Sequence, residues 1–225
     1  MHDNARVEVP ATLRQGIEQA FGSAGQEWCD GLPALVADLM SEWGLTRTAE
    51  EPRSGFGGVA VPLTRTDRSG AILKVTFSSK TRDDENEVLA AWAGRRAVRL
   101  LERDDTRHAR LLERLGDESL FDLADPVRAM SVAGSLAADL AVKPPPGLQR
   151  MADVASSLAT QISESDKHTH RKLTVRSVEA AAATFRELSS DQPDTLLHGD
   201  LQGRNMCERL TVTEPPWNRG AEAVR

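Results

Sequence analysis

The spacing of apolar residues along the chain predicts a long helix at its N-terminal end. Within residues 11–45, the apolar positions that follow Leu32 recur every three or four residues and mark one face of a helix. Pro33 suits the first turn of a helix, and Gly44 suits a helix stop. The first element is therefore predicted to be helical and to end close to Gly44.

The pattern then changes to short apolar runs of the kind that form strands. Runs at 59–63 and 71–77 flank a polar turn at 66–70, which predicts a β-hairpin. Pro62 implies an edge position or a bulge in the first strand. Lys74 interrupts the second run, so a cation is predicted within an apolar strand.

The rest of the chain is predicted to be mostly helical, with two further strands. Residues 83–94 begin with carboxylates and continue with apolar residues, which favours a helix with acidic residues near its positive end. Two further strands are predicted at 98–101 and 109–113, with a polar turn between them. Three more helices are predicted at 124–142, 147–165 and 171–189.

This order of elements predicts an α+β fold with two lobes. A mixed lobe over residues 1–116 would hold an antiparallel sheet with helices, and a helical lobe would cover residues 117–225. The length of 225 residues and the hydrophobic fraction of 40% are sufficient for a packed core.

Charge and cysteine usage narrow the class of protein. The net charge of −6 argues against a nucleic-acid-binding surface. No apolar run approaches the roughly 18 residues that a membrane span needs. Cys29 and Cys207 are far apart in the sequence and do not match the spacing of a metal site or a disulfide framework. The N-terminus lacks the pattern of a signal peptide, so a soluble cytoplasmic protein is expected. The oligomeric state is not specified by the sequence.

The residues with the clearest chemical signature lie at 198–205. A His-x-Asp pattern with an Asn five residues after the Asp is typical of the catalytic loop of kinase-like phosphotransferases. Asp200 is predicted to accept the proton of a hydroxyl group. Asn205 is predicted to coordinate Mg²⁺ through its amide oxygen. His198 is expected to support the loop.

A nucleotide site is predicted in the mixed lobe. Lys74 is interpreted as a ligand of the ATP phosphates, with a carboxylate partner on the following helix; an edge lysine that points to water is the alternative. Both Glu85 and Glu87 are candidates for that partner, and Glu87 is preferred because it precedes the apolar part of the helix. The residues predicted to contact the phosphates or, through the backbone, the adenine edge are Gly55, Gly57, Gly58, Glu113 and Leu115.

In combination, these motifs resemble the aminoglycoside phosphotransferase superfamily, and they are most similar to its aminoglycoside/hydroxyurea antibiotic resistance kinases, which include streptomycin 6-kinases. The resemblance implies a protein-kinase-like fold, ATP with Mg²⁺, and phosphate transfer to a hydroxyl of a streptomycin-like small molecule. The stretches that carry it are 57–62, 71–75, 85–94, 97–101, 111–115 and 196–205.

The sequence departs from the family pattern after Asn205. The family continues with a strand that supplies a second metal-binding Asp, whereas no Asp follows Asn205 here. A C-terminally truncated kinase is therefore expected. The alternatives are a non-catalytic remnant that at most binds nucleotide and, less favoured, a helical interaction protein in which the loop pattern is fortuitous.

Overall fold

The fold is described from a computed structural model, whose described residues include four α-helices and eight strands. The helices are α1 (Ala11–Glu42), α2 (Asp84–Trp92), α3 (Pro126–Leu140) and α4 (Val175–Ser190). The strands are β1 (Thr46–Arg47), β2 (Arg53–Gly55), β3 (Gly58–Thr64), β4 (Gly70–Thr76), β5 (Leu100–Asp104), β6 (Ala109–Glu113), β7 (Met206–Glu208) and β8 (Glu222–Val224). The structure describes residues 7–55, 57–78, 84–148, 160, 174–190, 193–208 and 222–224.

Six strands form one antiparallel sheet, in the order β1-β3-β4-β6-β5 with β2 also paired to β3. The predicted hairpin is confirmed as β3 and β4, which pair from Gly58 opposite Thr76 to Thr64 opposite Gly70. The observed sheet and helices confirm the α+β class. The predicted strand at 98–101 begins later, at Leu100, and continues to Asp104 with a register shift between Leu100 and Glu102.

Pro62 lies in an interior strand and not in an edge strand. On the side of β3 that does not pair with β4, two short strands leave a gap. Strand β1 pairs only with Leu63 and Thr64, and β2 pairs only with residues 58–60. Pro62 therefore occupies the gap between two short strands, where a proline does not interrupt a continuous ladder. This gap explains how the sheet accommodates it.

One face of the sheet packs against α1 and forms the main core. Side chains alternate between the two faces of a strand, and one set in β3, β4 and β6 is fully buried with the apolar stripe of α1. The strand residues of this set are Val59, Val61, Leu63, Ala71, Leu73, Val75, Ala109 and Leu111.

The helix predicted over residues 11–45 is confirmed as α1, which is kinked at Gly22, but the predicted place of Pro33 in a first helical turn is wrong. Pro33 lies inside α1 and does not begin it. The helix continues through Pro33 because the buried stripe of Cys29, Leu32 and Val36 packs continuously against the core. Gly44 has φ of 62° just after the end of the helix, in agreement with the predicted stop.

The chain divides into two compact units. Residues 1–140 and 198–225 form one unit, and residues 141–197 form the other. The lobe boundary near residue 116 stays a prediction.

The helices predicted in the second half are partly described. The helices predicted at 124–142 and 171–189 are observed as α3 and α4, and the one predicted at 147–165 lies almost entirely outside the described residues. None of the helices in the described part of the chain is long and apolar enough to cross a bilayer.

Candidate active site

The face of the sheet opposite α1 carries the candidate nucleotide site. Lys74 on β4 lies opposite Ala60 on β3 and opposite Arg110 on β6, so these three residues share one row across the sheet. Ile72 is two positions before Lys74 and lies opposite Leu112. Side chains two residues apart in a strand point to the same face of the sheet. Both rows therefore lie on the face away from the α1 core.

Lys74 forms an ion pair with Glu85 at the start of α2. The Lys74 Nζ donates to Glu85 Oε1 at 2.7 Å, and both side chains are partly exposed. Burial alone would raise the pKa of Glu85, but the charges of Lys74 and Arg110 hold the pKa below its usual value. Glu85 is therefore ionised at neutral pH.

The preference for Glu87 as the partner of Lys74 is wrong, because the structure pairs Lys74 with Glu85. Glu85 shares a helical face with the buried Leu89 and Trp92, which follow it by four and seven residues. Residues two apart point in different directions around a helix, so Glu87 lies on another face. Helical phase, and not proximity to the apolar run, selects the partner.

Arg110 is a second cation that pairs with Glu85, and the sequence did not lead us to predict it. Its side chain is 1% exposed and forms an ion pair with Glu85 Oε2. Arg110 Nε donates to Asn86 Oδ1 at 2.7 Å, and Asn86 Nδ2 donates to Asp105 Oδ1 at 2.7 Å. The available signal was a charged residue within an apolar strand, the same signal that identified Lys74.

A cavity of about 120 Å³ lies beside this row of charges. Its apolar lining includes Ala60, Ile72, Val98 and Leu112. Ala60 is the cross-strand neighbour of Lys74, so the cavity and Lys74 adjoin along the same face of the sheet. An apolar slot next to a cation is suited to a flat base whose phosphates extend toward that cation.

Glu113 and Leu115, which are predicted to bond an adenine edge through the backbone, both line this cavity. The Glu113 carboxylate, however, accepts hydrogen bonds from the Arg99 amide and from Arg99 Nε, each at 2.9 Å. Its side chain therefore braces the strand end. No hydrogen bond joins the Leu115 amide or carbonyl to another described residue, which leaves both groups available to a base edge.

The three glycines differ in their steric surroundings. A Cβ on Gly58 would lie 2.4 Å from the Val75 carbonyl oxygen, so close strand pairing requires glycine there. A Cβ on Gly55 or Gly57 would meet no atom within 4 Å. The structure places open space at Gly55 and Gly57, and a packing role at Gly58.

The loop at 198–205 brings Asp200 and Asn205 into direct contact. Asn205 Nδ2 donates to Asp200 Oδ2 and to the Asp200 carbonyl, each at 2.9 Å. Gln202 Nε2 donates to Asp200 Oδ1 at 3.2 Å. The Asp200 side chain is exposed, and Gly199 has φ of 80°, a conformation that favours glycine. Before the loop, Leu196 is buried and Leu197 is 49% exposed, and neither residue is in a strand.

Two contacts brace the loop from other elements of the same unit. The Arg204 guanidinium lies 4.7 Å from the centre of the Phe121 ring, a cation–π distance. Ser119 and Asp122 form a capping box around the short 3₁₀ helix that carries Phe121. The His198 ring stacks on the ring of Trp92 from α2.

The described residues contain no cluster of three or more His, Cys, Asp or Glu side chains that could hold a metal ion. Asn205 directs its amide nitrogen to Asp200, so its Oδ1 faces elsewhere. A carboxylate and an amide oxygen are ligand types that Mg²⁺ prefers. Both Asp200 carboxylate oxygens accept hydrogen bonds within the loop, so Asn205 Oδ1 is the candidate side-chain ligand for a magnesium ion here.

Comparison with known proteins identifies close sequence relatives. Residues 42–218 match a family described as aminoglycoside/hydroxyurea antibiotic resistance kinase. A streptomycin 6-kinase of Streptomyces glaucescens is 32% identical over 219 residues, which are 96% of this chain and 70% of that protein. A hydroxyurea phosphotransferase of Kitasatospora aureofaciens is 33% identical over 217 residues, which are 95% of this chain and 63% of that protein.

Solved structures give weaker matches. An aminoglycoside-3'-phosphotransferase of type VIII has a TM-score of 0.45 and 18% identity, with 86% of this chain and 77% of the other covered. A macrolide 2'-phosphotransferase of type I has a TM-score of 0.46 and 19% identity, with 85% and 72% covered.

Proposed function

Since this chain belongs to the aminoglycoside/hydroxyurea antibiotic resistance kinases, we propose that it transfers the γ-phosphate of ATP to a hydroxyl group of an aminoglycoside such as streptomycin. The single observation that carries this proposal is the contact between Asp200 and Asn205 in an exposed loop. Such a loop presents a base to an acceptor and an amide oxygen to a metal ion.

The adenine base would occupy the cavity lined by Ile72 and Leu112. The backbone amide and carbonyl of Leu115 would bond its edge, since neither has another partner among the described residues. From there the phosphates would extend along β4 toward Lys74, which is two residues, or about 7 Å, from Ile72. The open backbone at Gly55 and Gly57 is free of side chains and suits close approach of a phosphate.

Asp200 would act as the base. Its carboxylate accepts the proton of the acceptor hydroxyl as the oxygen of that hydroxyl bonds to the γ-phosphorus, and the bond to the bridging oxygen of ADP breaks. The products are a phosphate ester, ADP and a proton on Asp200. Gln202 and Asn205 donate to both carboxylate oxygens and hold the group in one orientation.

Magnesium would be held in part by the Asn205 amide oxygen. When bound, the ion would neutralise charge on the phosphate oxygens. The net charge of −6 also suits a cationic acceptor.

A turnover assay tests this proposal. Production of ADP from ATP should depend on an added acceptor, with streptomycin and hydroxyurea offered in parallel. Asp200→Asn should abolish turnover and leave the melting temperature and ATP affinity close to wild type. Acceptor-dependent turnover that survives Asp200→Asn would contradict the assignment.

A non-catalytic nucleotide-binding protein is the second candidate. The observation that favours it is that the described residues bring together no cluster of three or more side chains suited to a metal ion. Such a protein would bind ATP with a measurable rise in melting temperature, but would form no ADP with either acceptor.

A further inference from the structure

Arg110 is placed where it can act on the phosphate site through Glu85. Lys74 and Arg110 are a cross-strand pair on β4 and β6, and both contact the one carboxylate of Glu85. Lys74 is partly exposed, whereas Arg110 is 1% exposed. The buried cation therefore reaches the carboxylate from below the surface, and the exposed cation reaches it from the side open to a ligand.

The charge balance of this group changes what Lys74 can offer a phosphate. A single Lys–Glu pair is neutral, so its attraction for an anion is small. With Arg110 included, the three side chains carry a net charge of +1. Because Arg110 is removed from solvent, its charge is poorly screened and acts strongly on Glu85.

Hydrogen bonds to α2 also hold the Arg110 side chain in one position. Its Nε donates to Asn86 Oδ1, and Asn86 in turn donates to Asp105. Asn86 is fully buried and adjoins Glu85 at the start of α2. The Arg110 guanidinium is thus held against two consecutive residues of α2, which sets the helix start relative to the sheet.

We infer that Arg110 is a positioning residue for phosphate binding, which acts by compensating the charge of Glu85 so that the charge of Lys74 remains available to the phosphates of the nucleotide. This inference rests on the proposed function, since it requires that nucleotide binds at this face of the sheet.

The test is a comparison of adenosine and ATP binding by titration calorimetry at fixed ionic strength with magnesium present. Arg110→Met removes the charge and keeps an unbranched side chain. Glu85 then compensates Lys74 alone, so ATP should bind about tenfold more weakly or worse. Adenosine has no phosphate and should bind as it does to wild type.

A double variant separates charge compensation from packing. In Glu85→Gln with Arg110→Met, both the carboxylate and its buried partner are neutral, and Lys74 regains an uncompensated charge. ATP affinity should therefore recover most of the tenfold loss. Arg110→Lys retains the positive charge but not both guanidinium contacts. It should keep ATP affinity within about threefold of wild type and gives a second variant if Arg110→Met proves too unstable.

Two results would overturn the inference while the proposed function stands. One is an equal loss of adenosine and ATP affinity in Arg110→Met with a normal melt, which would indicate a distorted cavity. The other is a double variant, or Arg110→Lys, that binds ATP as poorly as Arg110→Met. If wild type binds ATP and Lys74→Ala binds it equally well, the proposed site itself is wrong, and the inference fails with it.

Discussion

The imidazole of His198 stacks on the indole of Trp92, with ring centres 5.7 Å apart and planes inclined by 18°. Trp92 ends the helix that begins near Glu85, and His198 begins the loop that carries Asp200. The Asp200 amide donates to His198 Nδ1 at 3.3 Å, and Trp92 Nε1 donates to the Leu140 carbonyl at 3.0 Å. One aromatic pair thus joins the helix that carries the partner of Lys74 to the candidate catalytic loop.

The first prediction concerns this aromatic pair. Trp92→Leu should remove the stacking on His198 and lower the turnover number several-fold, because the loop loses a rigid support for Asp200. Trp92→Phe keeps a ring and is the matched control, since both variants lose the hydrogen bond to Leu140. Steady-state kinetics and thermal melts would measure the effect, and equal turnover in the two variants would contradict it.

The second prediction distinguishes the two acidic residues on α2. Glu85→Gln should lower the turnover number at least about tenfold, because Lys74 loses the carboxylate that orients it. ATP affinity should be retained, since the net positive charge of the site increases. Glu87→Gln makes the same charge change on another helical face and should stay within about twofold of wild type. The reverse order of effects would restore Glu87 as the partner.

The third prediction concerns the glycines of the hairpin. Gly58→Ala should destabilise the fold by about 1–3 kcal/mol, because its Cβ would meet the Val75 carbonyl at 2.4 Å. Gly57→Ala meets no atom and should change stability by less than about 0.5 kcal/mol. Urea unfolding of both variants would measure the difference. A Gly57→Ala variant with normal stability but weaker ATP binding would support close phosphate approach at this residue.

The fourth prediction is a pH dependence of stability centred on Asp104. Burial alone would raise the pKa of Asp104, but hydrogen bonds from Thr106, from the Arg107 amide and from the Arg107 guanidinium lower the pKa from its usual 3.8 to about 2. Because the pKa is lower in the folded protein, the stabilisation is present above about pH 4 and is lost as the pH falls toward 2.

Asp104→Asn should therefore cost about 1 kcal/mol at pH 7, a figure reduced for partial solvent screening. The difference from wild type should shrink between pH 4 and pH 2. Asp38 is an exposed carboxylate on α1, so Asp38→Asn is the matched control for the change in net charge. Denaturant unfolding across this pH range would measure both variants, and a constant difference for Asp104→Asn would contradict the assignment.

The family and the main elements could be read from the sequence. Periodic apolar positions identified α1, the hairpin of β3 and β4, and the strand β6. An amphipathic element must bury one face, and the spacing of its apolar residues indicates both the type of element and the buried face. The Asp200 and Asn205 spacing identified the loop, because five residues of a tight turn fix two side chains close to each other. These signals are local in sequence, and local geometry suffices to interpret them.

Tertiary structure decided which residues meet across elements. Glu85 and not Glu87 contacts Lys74 because the phase of α2 against the sheet selects one helical face, and that phase is set by the burial of Leu89 and Trp92. Arg110 joins the same carboxylate only because β6 lies beside β4 in this register. Strand order and helix phase depend on packing between distant segments, so the sequence alone determined the fold class and the chemistry of its motifs, while the folded chain decided how the charges are paired.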